Sequence, residues 1–83
     1  MSSETRERLR KHLFEELIPL QREEWPNDDD DLFEVGMDSV RVMRLLVFIE
    51  EELEVRIPED SIVPEKLGRV SALLELVEAH RQR

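Results

Sequence analysis

The chain has 83 residues, no cysteine and a formal net charge of −9. A length of this order holds one small domain, taken as residues 1–83, that buries only about 60–65% of its unfolded surface. Without cysteine there is no disulfide framework and no thiolate metal site, and the acidic surface repels a phosphate backbone, so nucleic acid is excluded as a partner.

In chain order, three or four helices are legible and no strand pattern is. Ser3 is placed to cap the first, with Glu4 and Glu7 in or near the opening turn. Leu9, Leu13 and Leu17 recur every four residues, with Phe14 and Ile18 beside them, and form one apolar stripe. Pro19 ends this helix or bends its last turn. Leu20 to Met37 read as a long connection holding Trp25-Pro26, the acidic run Asp28 to Asp31, and Gly36. Leu32, Phe33 and Val35 are its expected anchors, since a long loop in a compact domain is functional or held by its own side chains.

The second helix starts near Asp38 or Ser39 and runs to about Glu54. Val42, Leu46, Ile49 and Leu53 have core spacing, widened by Met43 and Leu45. The opposite side reads Val40, Arg41, Arg44, Val47, Phe48 and Glu51. That mixture is unusually apolar for a surface whose only task is solubility. The segment "PEDSIVPEK" lies between two prolines. Pro58 suits the first turn of a short helix and Pro64 is expected to stop it. A last helix covers about Val70 to His80, with Val70, Leu73, Leu74 and Val77 inward. Arg81 and Arg83 follow it, where the helix dipole favours positive charge. The expected fold is all-α, a small four-helix bundle of three main helices and one short one.

Two chemistries fail on spacing. A calcium loop begun at Asp28 puts Phe33 at its sixth place and Ser39 at its twelfth, where glycine and glutamate are required. Begun at Asp31 it gains Gly36, but Phe33, Val35 and Val42 then fall on ligand positions. A nucleophile elbow needs glycine two residues either side of its serine, and around Ser39 those places hold Met37 and Arg41. The two histidines, His12 and His80, read as ordinary surface residues rather than as a catalytic base.

What remains is Ser39. Asp38 is a good N-cap, its carboxylate accepting from free N–H groups of the next turn. Ser39 then opens the helix with its hydroxyl outward, and Gly36 lets the chain turn sharply into it. A helix N-terminus favours an anion, so a phosphate on Ser39 sits in a favourable field. With no base in view, another enzyme has to activate the hydroxyl.

The stretch "LFEVGMDSVRVMRLL" resembles the attachment site of acyl and peptidyl carrier proteins. The family pattern is an apolar pair, a variable stretch, glycine, an apolar residue, then Asp-Ser and an apolar residue. Leu32, Phe33, Gly36, Met37, Asp38, Ser39 and Val40 match it. The resemblance continues through "EEELEVRIPED", and size, acidity and helix layout agree over nearly the whole chain.

It implies that Ser39 carries a 4'-phosphopantetheine arm donated by coenzyme A, with Asp38 and Gly36 shaping the attachment site. A phosphopantetheinyl transferase would attach the arm, whose thiol would hold cargo as a thioester. A cargo-loading ligase or acyltransferase would charge it, and a downstream synthase or transferase would receive the cargo. The carrier is not itself an enzyme and needs no metal.

In the fatty-acid-synthesis type the exposed side of the second helix is strongly acidic. Here Arg41 and Arg44 stand there, and Met37 precedes Asp-Ser as in polyketide, nonribosomal-peptide or D-alanyl carriers. A specialised, free-standing carrier is therefore expected, with Met37, Val40, Arg41, Arg44, Val47 and Phe48 as its partner-binding residues. It is expected to be monomeric and cytoplasmic, since no run reaches the ~18–20 apolar residues of a membrane span and the N-terminus lacks a signal-peptide core. The alternative is a small acidic helical adaptor that binds a basic protein without carrying cargo.

Overall fold

A computed structural model of the protein describes residues 3–81. Helix α1 spans Ser3–Lys11 and continues as a wider π turn over His12–Leu17. Its acids lie early and its bases late, as the helix dipole favours. Ser3 is already helical rather than a cap, and the residue before it lies outside the described residues.

The widening of the last turn follows from Pro19, which offers no N–H. On either side of it, Ile18 donates its N–H to the Leu13 carbonyl at 2.7 Å and Leu20 to that of Phe14 at 3.1 Å. Leu9, Leu13, Phe14, Leu17 and Ile18 are all buried, as their spacing predicts.

The connection that follows is pinned rather than loose. Asp28 accepts from Arg6 Nε at 2.7 Å and from Arg10 Nη1 at 2.8 Å, which fastens it to α1. Ser71 Oγ donates to Asp29 at 2.8 Å and Ser71 N to the Asp28 carbonyl at 3.0 Å. Asp30 and Asp31 accept from the backbone N–H groups of Asn27 and Phe33. Each aspartate of the acidic run thus makes an internal hydrogen bond. Leu32 is fully buried and its N–H reaches the Gly68 carbonyl at 2.7 Å. Phe33 anchors differently from expectation. It stays 38% exposed and lies over Gly68, where an added Cβ would come within 3.3 Å of its ring.

Helix α2 spans Ser39–Glu52. Its buried face is Val42, Leu45 and Ile49, continued by Leu53 just past the end. The expected centre of that face is therefore shifted: Leu46 is only half-buried and Met43 is 64% exposed. Both phases look apolar in a helix that is apolar nearly all round. The choice falls to what packs against it, and the chain after α2 covers only part of the Leu46 side.

Pro58 precedes a single 3-10 turn over Glu59–Ser61, and Pro64 opens the four-residue helix α3, Pro64–Leu67. Pro64 was expected to stop a helix and instead starts one. The first turn has no partner for its N–H groups, so the missing donor costs nothing there. Helix α4 spans Val70–His80 with Val70, Leu73, Leu74, Leu76 and Val77 buried. At its end Arg81 pairs as an isolated bridge with Val55, contacts Glu78 at 3.2 Å and donates to Thr5 Oγ1 at 3.1 Å. Gln82 and Arg83 lie outside the described residues. Among those residues there is no strand, and one core joins α1, α2 and α4 with α3 across an edge. The fold is the expected all-α, four-helix layout. Among the described residues no helix is long and apolar enough to cross a membrane.

Candidate functional site

The site is built where the connection turns into α2. Gly36 has φ +124°, a backbone conformation that side chains rarely adopt, and a Cβ there would approach Ile18 Cγ2 at 3.3 Å. Both constraints select glycine. After it Met37 turns inward and is 4% exposed, which anchors the chain directly before the helix. Asp38 caps α2, accepting from the N–H of Arg41 at 2.9 Å. Its carboxyl is held below the ordinary aspartate range, first by that backbone bond and then by the charge of the Arg41 guanidinium.

Ser39 is the first residue of α2 and is exposed. Its hydroxyl has no hydrogen-bond partner among the described residues. It stands at the lip of an apolar cleft of about 280 Å³, walled by Phe33, Val42, Met43, Ile62, Pro64 and Leu67. His12 opens the π turn after α1 and stacks on Phe48, which lies nine residues along α2 from Ser39, or about 13 Å of helix rise. Among the described residues no imidazole hydrogen-bonds the Ser39 hydroxyl, which is presented rather than activated.

The expected partner residues divide. Val40 is 63% exposed, Val47 is 51% exposed and Arg44 is exposed, all on the outer side of α2. Met37 leaves this group because it lies in the core. Phe48 is half-buried, and its ring stacks on His12 with centroids 3.9 Å apart. Arg41 is spent internally: Nε donates to the Leu17 carbonyl at 2.7 Å and Nη1 to Asp38 at 2.6 Å.

Three contributors escaped sequence reasoning. Met43 was assigned to the core, Ile62 to a short helix, and Gly68 was passed over. The first two wall the cleft and the third makes room for Phe33. Only the flanking prolines of the Ile62 segment hinted at a fixed surface opposite α2.

His12 also departs from expectation. Its side chain is 16% exposed rather than an open surface group. Nε2 is buried without a hydrogen-bond partner, and burial is the main reason its pKa falls below the ordinary 6.5.

The site thus combines a helix start, an exposed hydroxyl, a glycine turn and an apolar cleft. Residues 8–77 match the family described as "Phosphopantetheine attachment site", and the chain belongs to that family. It is 32% identical over 79 residues to the "Acyl carrier protein" of Zymomonas mobilis subsp. mobilis, covering 95% of this chain and 97% of that relative. The cofactor of the domain is 4'-phosphopantetheine, bound covalently. Acyl carrier proteins have no catalytic activity of their own, and this chain is a carrier in the same sense.

The residues present fit the cofactor. Ser39 offers a free, exposed oxygen, and the α2 N-terminus favours the phosphate that would attach to it. The group supplies the thiol that holds cargo as a thioester.

Proposed function

We propose that Ser39 is the attachment residue, and that the chain is a carrier presenting thioester-bound cargo to partner enzymes. The observation that carries this reading is the unpartnered Ser39 hydroxyl at the α2 N-terminus, on the rim of the apolar cleft. Asp38 caps the helix that presents Ser39, and Gly36 sets the turn that places it there. A phosphopantetheinyl transferase modifies Ser39, a ligase or acyltransferase loads the arm, and a synthase or transferase takes the cargo onward. Tethering makes each loaded group intramolecular to whichever enzyme has docked, which raises its effective concentration.

The finer reading is specialised biosynthesis of the polyketide, nonribosomal-peptide or D-alanyl kind, in the cytoplasm, with the chain acting as a monomer. The biosynthetic part of it rests on the exposed Arg44 beside Val40 and Val47, a position where the resemblance implies acid in carriers of the fatty-acid-synthesis type. Arg41 adds little to it, because Asp38 neutralises that guanidinium.

The test is intact mass after incubation with coenzyme A and a broad-specificity phosphopantetheinyl transferase. The wild type gains one arm and Ser39→Ala gains none, while the variant keeps its helical circular-dichroism spectrum. A folded wild type that stays unmodified would leave the adaptor as the better account.

A further inference from the structure

The turn that carries Ser39 is seated on one short piece of chain. Before Ser39, Gly36 lies so close to Ile18 that an added Cβ would come within 3.3 Å of Cγ2. After Ser39, Arg41 Nε donates to the Leu17 carbonyl at 2.7 Å. Leu17 ends the π turn that follows α1, and Ile18 caps it. Residues 36–41 are thus held at both ends on residues 17–18, with Ser39 between the two contacts.

The Leu17 carbonyl stands at a helix end, where carbonyls lose their usual partners. Pro19 has no N–H to offer, and the N–H groups of Ile18 and Leu20 go to the carbonyls of Leu13 and Phe14. A cation suits the place, because the dipole of a helix is negative at this end. The guanidinium that supplies the donor also reaches the attachment motif. Nη1 donates to Asp38 Oδ2 at 2.6 Å, while the backbone N–H of Arg41 donates to Asp38 Oδ1 at 2.9 Å. Both oxygens of the cap carboxylate are bonded to Arg41, which holds that carboxylate in one orientation. An ion pair this exposed contributes little as a charge pair alone. The third bond, to a carbonyl of another element, turns it into a tie.

We infer that Arg41 is a positioning residue for the attachment reaction. By joining the Leu17 carbonyl to the Asp38 carboxylate, it fixes where the first residue of α2 presents its hydroxyl. The inference rests on the carrier reading of Ser39. In that reaction Ser39 Oγ attacks the phosphorus that bears the pantetheine of coenzyme A. The Oγ–P bond forms as the P–O bond of the diphosphate breaks. The adenosine bisphosphate leaves with the electron pair, and the hydroxyl proton passes to a base of the transferase. Arg41 touches none of these atoms. Phosphoryl transfer depends heavily on where the nucleophile stands, and Arg41 acts through that placement.

Arg41→Met and Arg41→Lys test this. Met keeps an apolar stem and removes both guanidinium bonds. Lys keeps the charge but not the planar fork that spans two acceptors. Modification by coenzyme A and a broad-specificity phosphopantetheinyl transferase is followed by intact mass over a range of carrier concentrations, on variants shown to be helical by circular dichroism. Arg41→Met should lower kcat about tenfold, a modest loss for a displaced nucleophile. KM should stay close to the wild-type value, since the residue is not a contact of the transferase. Arg41→Lys should recover only part of the loss. Backbone relaxation by NMR should show residues 38–40 more mobile in Arg41→Met, with residues 45–52 as in the wild type.

An unchanged kcat, a loss confined to KM, full recovery by Arg41→Lys, or unchanged mobility of residues 38–40 would each overturn the inference. Should Arg41→Met not fold, Arg41→Lys carries the kinetic comparison and the wild type tests the tie. The Arg41 Nε–H should exchange with water more slowly than that of the exposed Arg44, and equal exchange would overturn the inference as well. A wild type that gains no arm removes the carrier reading itself. A wild type that gains it, beside an unimpaired Arg41→Met, removes only the role of Arg41.

Discussion

His12 ties the π turn that follows α1 to α2 through its stack on Phe48. Protonation would bury an N–H at Nε2 that has no acceptor. Glu16 at 4.0 Å and Glu52 favour the charged form, and Arg8, Lys11 and Glu15 also line this cleft, but burial outweighs them and the pKa falls. The unfolded chain therefore binds this proton more readily than the folded one. His12 contributes stability that is fully present above its unfolded pKa of 6.5 and is lost as pH falls through that value towards the lower folded one. Denaturant unfolding between about pH 5 and 8, where histidine titrates, should show stability declining on the acid side. His12→Phe, which keeps a stacked ring and removes the proton, should flatten that decline. Parallel profiles for the two proteins, or a His12 pKa at or above 6.5 by NMR, would contradict the stack as described.

Helix α2 decides how the bundle is assembled, and its phase is the clearest stability test. Leu45 is fully buried and Leu46 half-buried. Leu45→Ala should cost about 2–5 kcal/mol. That is a large share of the roughly 5–15 kcal/mol of a whole domain. Leu46→Ala should cost less than about 2 kcal/mol, because part of its side chain is in water already. Chemical denaturation of both variants checks the order, and a larger loss at Leu46 would mean α2 is rotated from this position. The same element shows what was legible in the sequence. Its start was, because Gly36, Asp38 and Ser39 act locally: a turn conformation, a cap and a first helical residue. The inner face of α4 was, because its outer side is polar and only one stripe can be buried. The phase of α2 was not, since two apolar stripes compete and tertiary packing chooses. The contacts of Arg41, Phe48 and Met37 were not legible either. Their partners, the Leu17 carbonyl, His12 and the core, are brought there by the fold and not by neighbouring sequence.

At the scale of the whole molecule, a net charge of −9 on 83 residues makes self-repulsion a term in folding. Internal pairing offsets part of it where Arg6 and Arg10 converge on Asp28, but most carboxylates face solvent unpaired. Added salt screens charges over a Debye length of about 8–10 Å. The melting temperature should rise between low and moderate ionic strength, and a flat or falling response would show that the ion pairs outweigh the repulsion. Phe33, Val40, Met43, Val47 and Ile62 are the large apolar side chains left exposed among the described residues, and the cargo-bearing role proposed above is centred on Ser39. The most direct test of that role is where the arm attaches. Trypsin would release residues 23–41 as one peptide, and Ser39 is its only hydroxyl-bearing residue. After treatment with coenzyme A and a broad-specificity phosphopantetheinyl transferase, tandem mass spectrometry should find the arm on that peptide alone. An arm on the peptide holding Ser61 or the one holding Ser71, with residues 23–41 unmodified, would contradict the account.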